Sequence, residues 1–144
     1  MRDILFRGQS IDRRKWYEGD LYQTRLKSVF YINYYTEHGD RMAVEVDPET
    51  VGQYTGITDK NGKKIFEGDI LERKFTFDGS KKKEIQRGVI LWREGWNHYA
   101  AFSGSDKKRL LFMATKATAN TKDSEIEVIG NIHDNPELLE GGAE

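Results

Sequence analysis

Trp16-Tyr17-Glu18-Gly19-Asp20-Leu21 returns later in the chain as Ile65-Phe66-Glu67-Gly68-Asp69-Ile70. Both copies put an aromatic residue before Glu-Gly-Asp and an aliphatic one after it, which predicts a strand entered through a tight glycine turn. The surrounding sequence extends this β reading. Met42-Ala43-Val44-Glu45-Val46 and Glu125-Ile126-Glu127-Val128 alternate with period two, as antiparallel strands with one wet face do. Either is a candidate sheet edge through which the chain can pair with a copy of itself. Val29–Tyr35 and Val89–Trp92 are apolar on both faces, so both are expected centrally, covered on each side.

Punctuation between these runs is equally informative. Glu94-Gly95 predicts a hairpin joining Val89–Arg93 to Trp96–Phe102. Asn61-Gly62 within Asp59–Lys63 predicts another tip, since Asn-Gly admits positive φ at consecutive positions. Lys81-Lys82-Lys83 reads as the exposed tip of a long hairpin, and Ala114–Ser124 as a mobile insertion. Helix signals are confined to Asp47-Pro48-Glu49-Thr50 and Asn135-Pro136-Glu137-Leu138, each good for one or two turns. The expected fold is mainly β: antiparallel strands in two small packed lobes or a barrel-like pair of sheets, with one or two very short helices. At 144 residues the chain suits a single domain, 1–144, with two sub-lobes meeting near 47–66 as a variant of that arrangement.

Composition narrows the classes. Hydrophobic residues make up 37% and charged residues 33%, but a 12% aromatic share supplies large side chains for a core. The absence of cysteine excludes disulfides, thiolate metal sites and a cysteine nucleophile. Neither the N-terminus nor any later stretch is apolar for long enough to act as a signal peptide or cross a bilayer. A soluble protein of the cytoplasm without a membrane partner is expected. A net charge of −1 argues against coating nucleic acid by bulk electrostatics, yet ten Lys/Arg against five Asp/Glu between Lys60 and Arg93 leave room for a local basic surface.

The paired carboxylates Glu18/Asp20 and Glu67/Asp69 are candidates for acid/base work or for holding a divalent cation. The competing reading, which we favour, is that each aspartate accepts from backbone donors of its own turn. His38, His98 and His133 lack metal-site spacing, and the serines lack a nucleophile-elbow context, so no catalytic residue, metal site or cofactor is expected. Arg13-Arg14-Lys15 before Trp16-Tyr17, and Trp92-Arg93 with Trp96, interleave cations with rings, the composition of a stacking platform for single strands; a β core would use the same rings.

Several segments together resemble the YopX family of small phage and prophage proteins. They are Ile4-Leu5-Phe6-Arg7-Gly8, Trp16–Leu21, the block Val46–Gly56 continuing through Asp59–Lys63 to Ile70, and Val128–Leu139. Phe75–Ser124 contributes nothing to the match. The resemblance implies a mainly β fold, a phage or prophage origin and work in the bacterial host cytoplasm, and it brings no catalytic residues. Within Gly52-Gln53-Tyr54-Thr55-Gly56, two glycines bracket one ring. This is either a structural corner or a groove in which Gln53, Tyr54 and Thr55 present polar tips to a partner.

The preferred expectation is a non-enzymatic accessory protein that binds a host or phage macromolecule, most of all a protein. The alternative is a nucleic-acid-binding β module using Arg13, Arg14, Lys15 and Lys81–Lys83 with rings such as Trp92 and Trp96. A divalent-metal-dependent hydrolase built on the two Glu-Gly-Asp triplets ranks third.

Overall fold

The computed structural model describes residues 3–26, 28–76, 80–95, 98–103, 109–114, 121 and 124–140. The chain divides into two compact units, 1–54 and 55–144. The fold is mainly β, with two open antiparallel sheets and, among the described residues, only single 3-10 turns as helix.

The first unit holds β1 (Phe6–Gln9), β2 (Trp16–Gln23), β3 (Phe30–Tyr35), β4 (Arg41–Val46) and the start of β5 (Gly52–Thr58), hydrogen-bonded in the order β4-β3-β2-β1-β5. β2 changes partner half-way along: Trp16 to Gly19 pair with β1, and Asp20 to Gln23 pair with β3. Gly19 stands at this changeover, where any Cβ would collide with the carbonyl oxygen of Asn33. The first Glu-Gly-Asp is therefore strand interior and not the turn its sequence predicts. Its glycine serves close backbone approach rather than positive φ.

At the other end of the sheet, the Asp47 N–H donates to Gln9 O at 2.9 Å and the Ile11 N–H to Glu45 O at 3.3 Å, with Ser10 bridging Val46. The sheet curls at this corner without closing into a barrel. Val46, fully buried, fills the space left by the missing side chain of Gly8. The turn Pro48–Thr50 forms as its sequence predicts: Asp47 Oδ1 accepts the Glu49 N–H at 3.0 Å, and the buried Thr50 hydroxyl donates to Asp47 O at 2.6 Å.

Cover on both faces fails for β3. Ile32 is fully buried, but Tyr35 is exposed and Tyr31 only partly covered. Tyrosine carries a polar tip, so a run rich in it does not require two dry faces.

In the second unit β5 turns back as β6 (Lys64–Phe66). Then β7 (Asp69–Thr76), β8 (Lys83–Arg93), β9 (His98–Ser103), β10 (Arg109–Ala114) and β11 (Ser124–Asn131) form a five-stranded sheet in the order β10-β9-β8-β7-β11. β8 is central, and here the apolar run is buried on both sides. Ile90 joins Leu71, Ala101 and Ile126 under Ile57 and Ile65 of the β5–β6 hairpin, while Val89 joins Ile70, Ala100 and Phe102 under Leu139. Each buried Ile, Leu, Val or Phe side chain among them contributes about 1.5–3 kcal/mol by leaving water. Leu139 follows the second proline turn, Pro136–Leu138, for which Asn135 makes no side-chain cap bond. The hairpin expected at Glu94-Gly95 forms, pairing Arg93↔His98 to Val89↔Phe102, with the return strand starting at His98 and not at Trp96.

The second Glu-Gly-Asp is a turn. Gly68 has φ 89°, its N–H donates to Ile90 O and its carbonyl accepts the Ile132 N–H, both at 2.9 Å. The triplet thus ties β8 to the segment that follows β11. Both strands expected at a sheet edge lie there, but β11 is partly covered: Lys60 N–H bonds Ile126 O at 3.0 Å, and Asp59 Oδ2 accepts the Val128 N–H at 3.0 Å. On β4 the Glu45 carbonyl is taken by Ile11. Lys81 and Lys82 lie exposed before β8, which Lys83 opens. Most of Ala114–Ser124 lies outside the described residues, among which no helix is long and apolar enough to cross a membrane.

Candidate functional site

Alternation along β2, β3 and β4, combined with their register, sorts the first unit into two faces. One carries Phe6, Gly8, Tyr17, Leu21, Ile32 and Val46 and includes the buried aliphatic side chains of Ile32 and Val46. The other gathers a different chemistry. Tyr31 stands between Tyr22 on β2 and Glu45 on β4, Asn33 between Asp20 and Ala43, and Tyr35 opposite Arg41. Glu18 and Trp16 lie further along β2, opposite Arg7 and Gln9 of β1.

Along β2, β3 and β4 this second face is open, whereas on β1 it is closed over Gln9, 4% exposed. Tyr22 is 54% and Tyr35 72% exposed, and Glu18, Asp20, Arg41, Ala43 and Glu45 are exposed as well. The rings of Tyr22 and Tyr31 lie 6.3 Å apart, tilted by 44°. The Arg7 guanidinium sits 4.8 Å from the centre of the Trp16 ring. A flat sheet surface with large rings, polar tips and carboxylates is suited to macromolecular contact, where tyrosine contributes area at little conformational cost.

The sequence-derived candidates fall elsewhere or only beside this face. Arg13, Arg14 and Lys15 form the β1–β2 turn, which is braced internally: Gln9 Nε2 donates to Arg14 O at 2.9 Å and Lys15 N–H to Ser10 Oγ at 3.1 Å. Arg14, held at φ 55°, reaches Asp47 at 3.4 Å, and the Lys15 ammonium lies 5.5 Å from the Tyr17 ring centre. Tyr54 and Thr55 are 7% and 5% exposed, and Thr55 Oγ1 donates to Ile65 O at 2.8 Å while accepting the Ile57 N–H. Gln53 is half-buried. Of the two glycines around Tyr54, only Gly56 takes positive φ, 85°. Burial raises the Tyr54 phenol above its usual range, and Asp3 adds to that rise.

Trp92, in the second unit, is 38% exposed and packs edge-on against Tyr99 at 4.9 Å. Trp96 lies outside the described residues. Asp69 is buried and accepts the Phe66 N–H at 2.8 Å, the turn role favoured for the triplet aspartates, whereas Asp20 lies exposed in β2. Among the described residues no group of His, Asp and Glu is arranged to hold a metal ion.

The sequence reading missed Tyr22 and Glu45 as site residues. The signal for Tyr22 was present as the period-two series Trp16, Glu18, Asp20, Tyr22, which mixes rings with acids on one face. What it lacked was the register that sets Tyr31 and Glu45 beside Tyr22.

Comparison with known proteins bears on the architecture. No curated protein matches the chain. A crystal structure of protein EF1440 from Enterococcus faecalis is similar in fold, with a TM-score of 0.50 and 21% identity over 97% of this chain and 100% of that one. The family model described as YopX protein matches residues 5–140, nearly the whole length. The chain belongs to the YopX protein family.

Proposed function

We propose that this protein is a non-enzymatic binding module that docks a macromolecular partner, a protein in preference to a nucleic acid, on the open β2–β3–β4 face of its first unit. The observation that carries the reading is the joint exposure of Tyr22 and Tyr35 on a face they share with Tyr31, Glu18, Asp20 and Glu45. Exposed rings grouped on one sheet face mark an interaction surface, whereas scattered ones need no explanation. The family suggests a phage- or prophage-encoded accessory protein, and the lack of cysteine suits work in a bacterial cytoplasm.

The test is site-specific photo-crosslinking in host cells from position 35, with position 110 of the second unit as the comparison. A discrete protein adduct at position 35, lost when Tyr22 and Tyr31 are changed to serine, supports the reading. Adducts at position 110 alone, or a nucleic-acid adduct at position 35, overturn it.

A further inference from the structure

Resting on that docking face, we infer that the partner presents a basic segment, with Arg or Lys side chains received by Tyr22, Tyr31 and Tyr35 and by the carboxylates of Glu18, Asp20 and Glu45. Charge is the first argument. The acids Glu18, Asp20 and Glu45 share the face with Arg7 and Arg41, and Arg7 is already placed over Trp16. Arg41 stands at the outer strand, opposite Tyr35. Of the basic residues in the nearby β1–β2 turn, Arg14 bridges Asp47 and the Lys15 ammonium lies against Tyr17 of the opposite face, while Arg13 is exposed in the turn, off the strands of the face. On the strands of this face three exposed carboxylates, Glu18, Asp20 and Glu45, stand against one exposed guanidinium, that of Arg41. Complementary potential favours a cationic segment and opposes the phosphates of a nucleic acid.

Geometry is the second argument. Glu45 is the cross-strand neighbour of Tyr31, which is itself the neighbour of Tyr22. A guanidinium or ammonium entering here meets ring faces and an anion together, an arrangement that attracts cations more than either group alone. Arg7 over Trp16 at 4.8 Å is the same mode of contact made within the chain, on the same face. A neutral apolar partner would leave the carboxylates desolvated and unpaired, which selects against it.

The experiment uses the full chain and defined probes: a fluorescein-labelled Arg/Ser-rich peptide, a Glu/Ser-rich peptide of equal length, and oligo-dT, followed by fluorescence anisotropy at low and moderate salt. The basic peptide is expected to bind and the other two to fail. The triple variant Glu18→Gln, Asp20→Asn, Glu45→Gln should weaken basic-peptide binding by roughly tenfold or more. The double variant Tyr22→Leu, Tyr35→Leu should weaken it at a salt concentration that screens exposed charge. Circular dichroism melts of both variants confirm that they fold.

Equal binding of the basic peptide by the triple variant, no binding of it by the wild type, or preferred binding of oligo-dT would overturn the inference. Photo-crosslinking from position 35 separates the two claims. A protein adduct that persists undiminished in the triple variant leaves the docking face standing and removes the basic partner. Absence of any adduct removes the face itself.

Discussion

The carboxylate of Asp59 accepts the backbone N–H of Val128 at 3.0 Å, joining a hairpin tip to an edge strand sixty-nine residues away in sequence. Its other oxygen accepts the N–H groups of Asn61 and Lys63, each at 2.9 Å, and the residue is 4% exposed. One buried anion therefore closes the Asn61-Gly62 turn and covers part of the β11 edge, a protection that sheet edges require. Removing it strands several donors away from water. Asp59→Ala should destabilise the protein by about 3 kcal/mol. Urea denaturation measures this, and Asp59→Asn, which keeps an acceptor oxygen, should lose less.

Lys60, the next residue, bridges Glu127 at 3.3 Å and Glu125 at 3.7 Å. The hydrogen bond to Glu127 and its charge raise the ammonium above the usual lysine range, with Glu125 adding to the shift. A raised folded value means that the charged form is favoured by folding, so this contribution is complete below the unfolded value of about 10.4 and fades as pH climbs through the folded one. The stability difference between wild type and Lys60→Met should therefore be present near neutrality and shrink above about pH 10.4. Denaturant midpoints at neutral and strongly alkaline pH check this, and a difference that grew with pH would contradict it.

Gly19 and Gly62 should respond differently to a methyl group. Gly19→Ala drives Cβ into the Asn33 carbonyl at the β2 changeover, where no flexible side chain can yield. Gly62 sits at φ 81° with nothing within 4 Å of where a Cβ would stand, so Gly62→Ala meets only backbone strain. That strain is worth about 1–2 kcal/mol. The thermal midpoint should fall much further for Gly19→Ala, and the reverse order would show that β2 does not turn over at this residue.

Arg73 crosses the rim of the second unit's core, 4.3 Å from the centre of the Phe75 ring and 5.2 Å from that of Phe112, with Nε donating to Ser124 Oγ at 2.9 Å. Burial pulls its guanidinium below the usual arginine range. Its value to the fold lies in covering rings as much as in charge. Arg73→Ala should cost about 1–2 kcal/mol, and Arg73→Met less. Chemical denaturation of the two variants distinguishes packing from charge.

On the open face of the first unit, changes should leave stability alone. Tyr35→Ser and Tyr22→Ser are each expected within about 0.5 kcal/mol of wild type, because these rings already meet water. Calorimetry tests this. A large loss would mean that the face is structural, which would weaken its assignment to binding.

Much of the architecture is legible in short windows. The Asp47-Pro48 cap, the Glu94-Gly95 hairpin and the buried run around Val89 and Ile90 all depend on residues a few positions apart, whose φ preferences, caps and period-two burial act within a strand or turn. The two Glu-Gly-Asp triplets mark the limit of such reading. Nearly identical in sequence, one is a turn at Gly68 with φ 89° and the other an interior stretch of β2. Partners decide between them: Ile90 and Ile132 hold the second, while Asn33 crowds the first.

The same holds for the candidate site. Aromatic and acidic residues at alternate positions were visible along β2, but whether they stood alone or formed a surface rested on β3 and β4 arriving in one register, since a slip of one residue would turn Tyr31, Tyr35 and Glu45 to the opposite face. Local chemistry specifies strands and turns because it acts between neighbours in the chain. Which side chains share a face is set by long-range pairing, whose energy comes from burying Ile32 and Val46 on the far side.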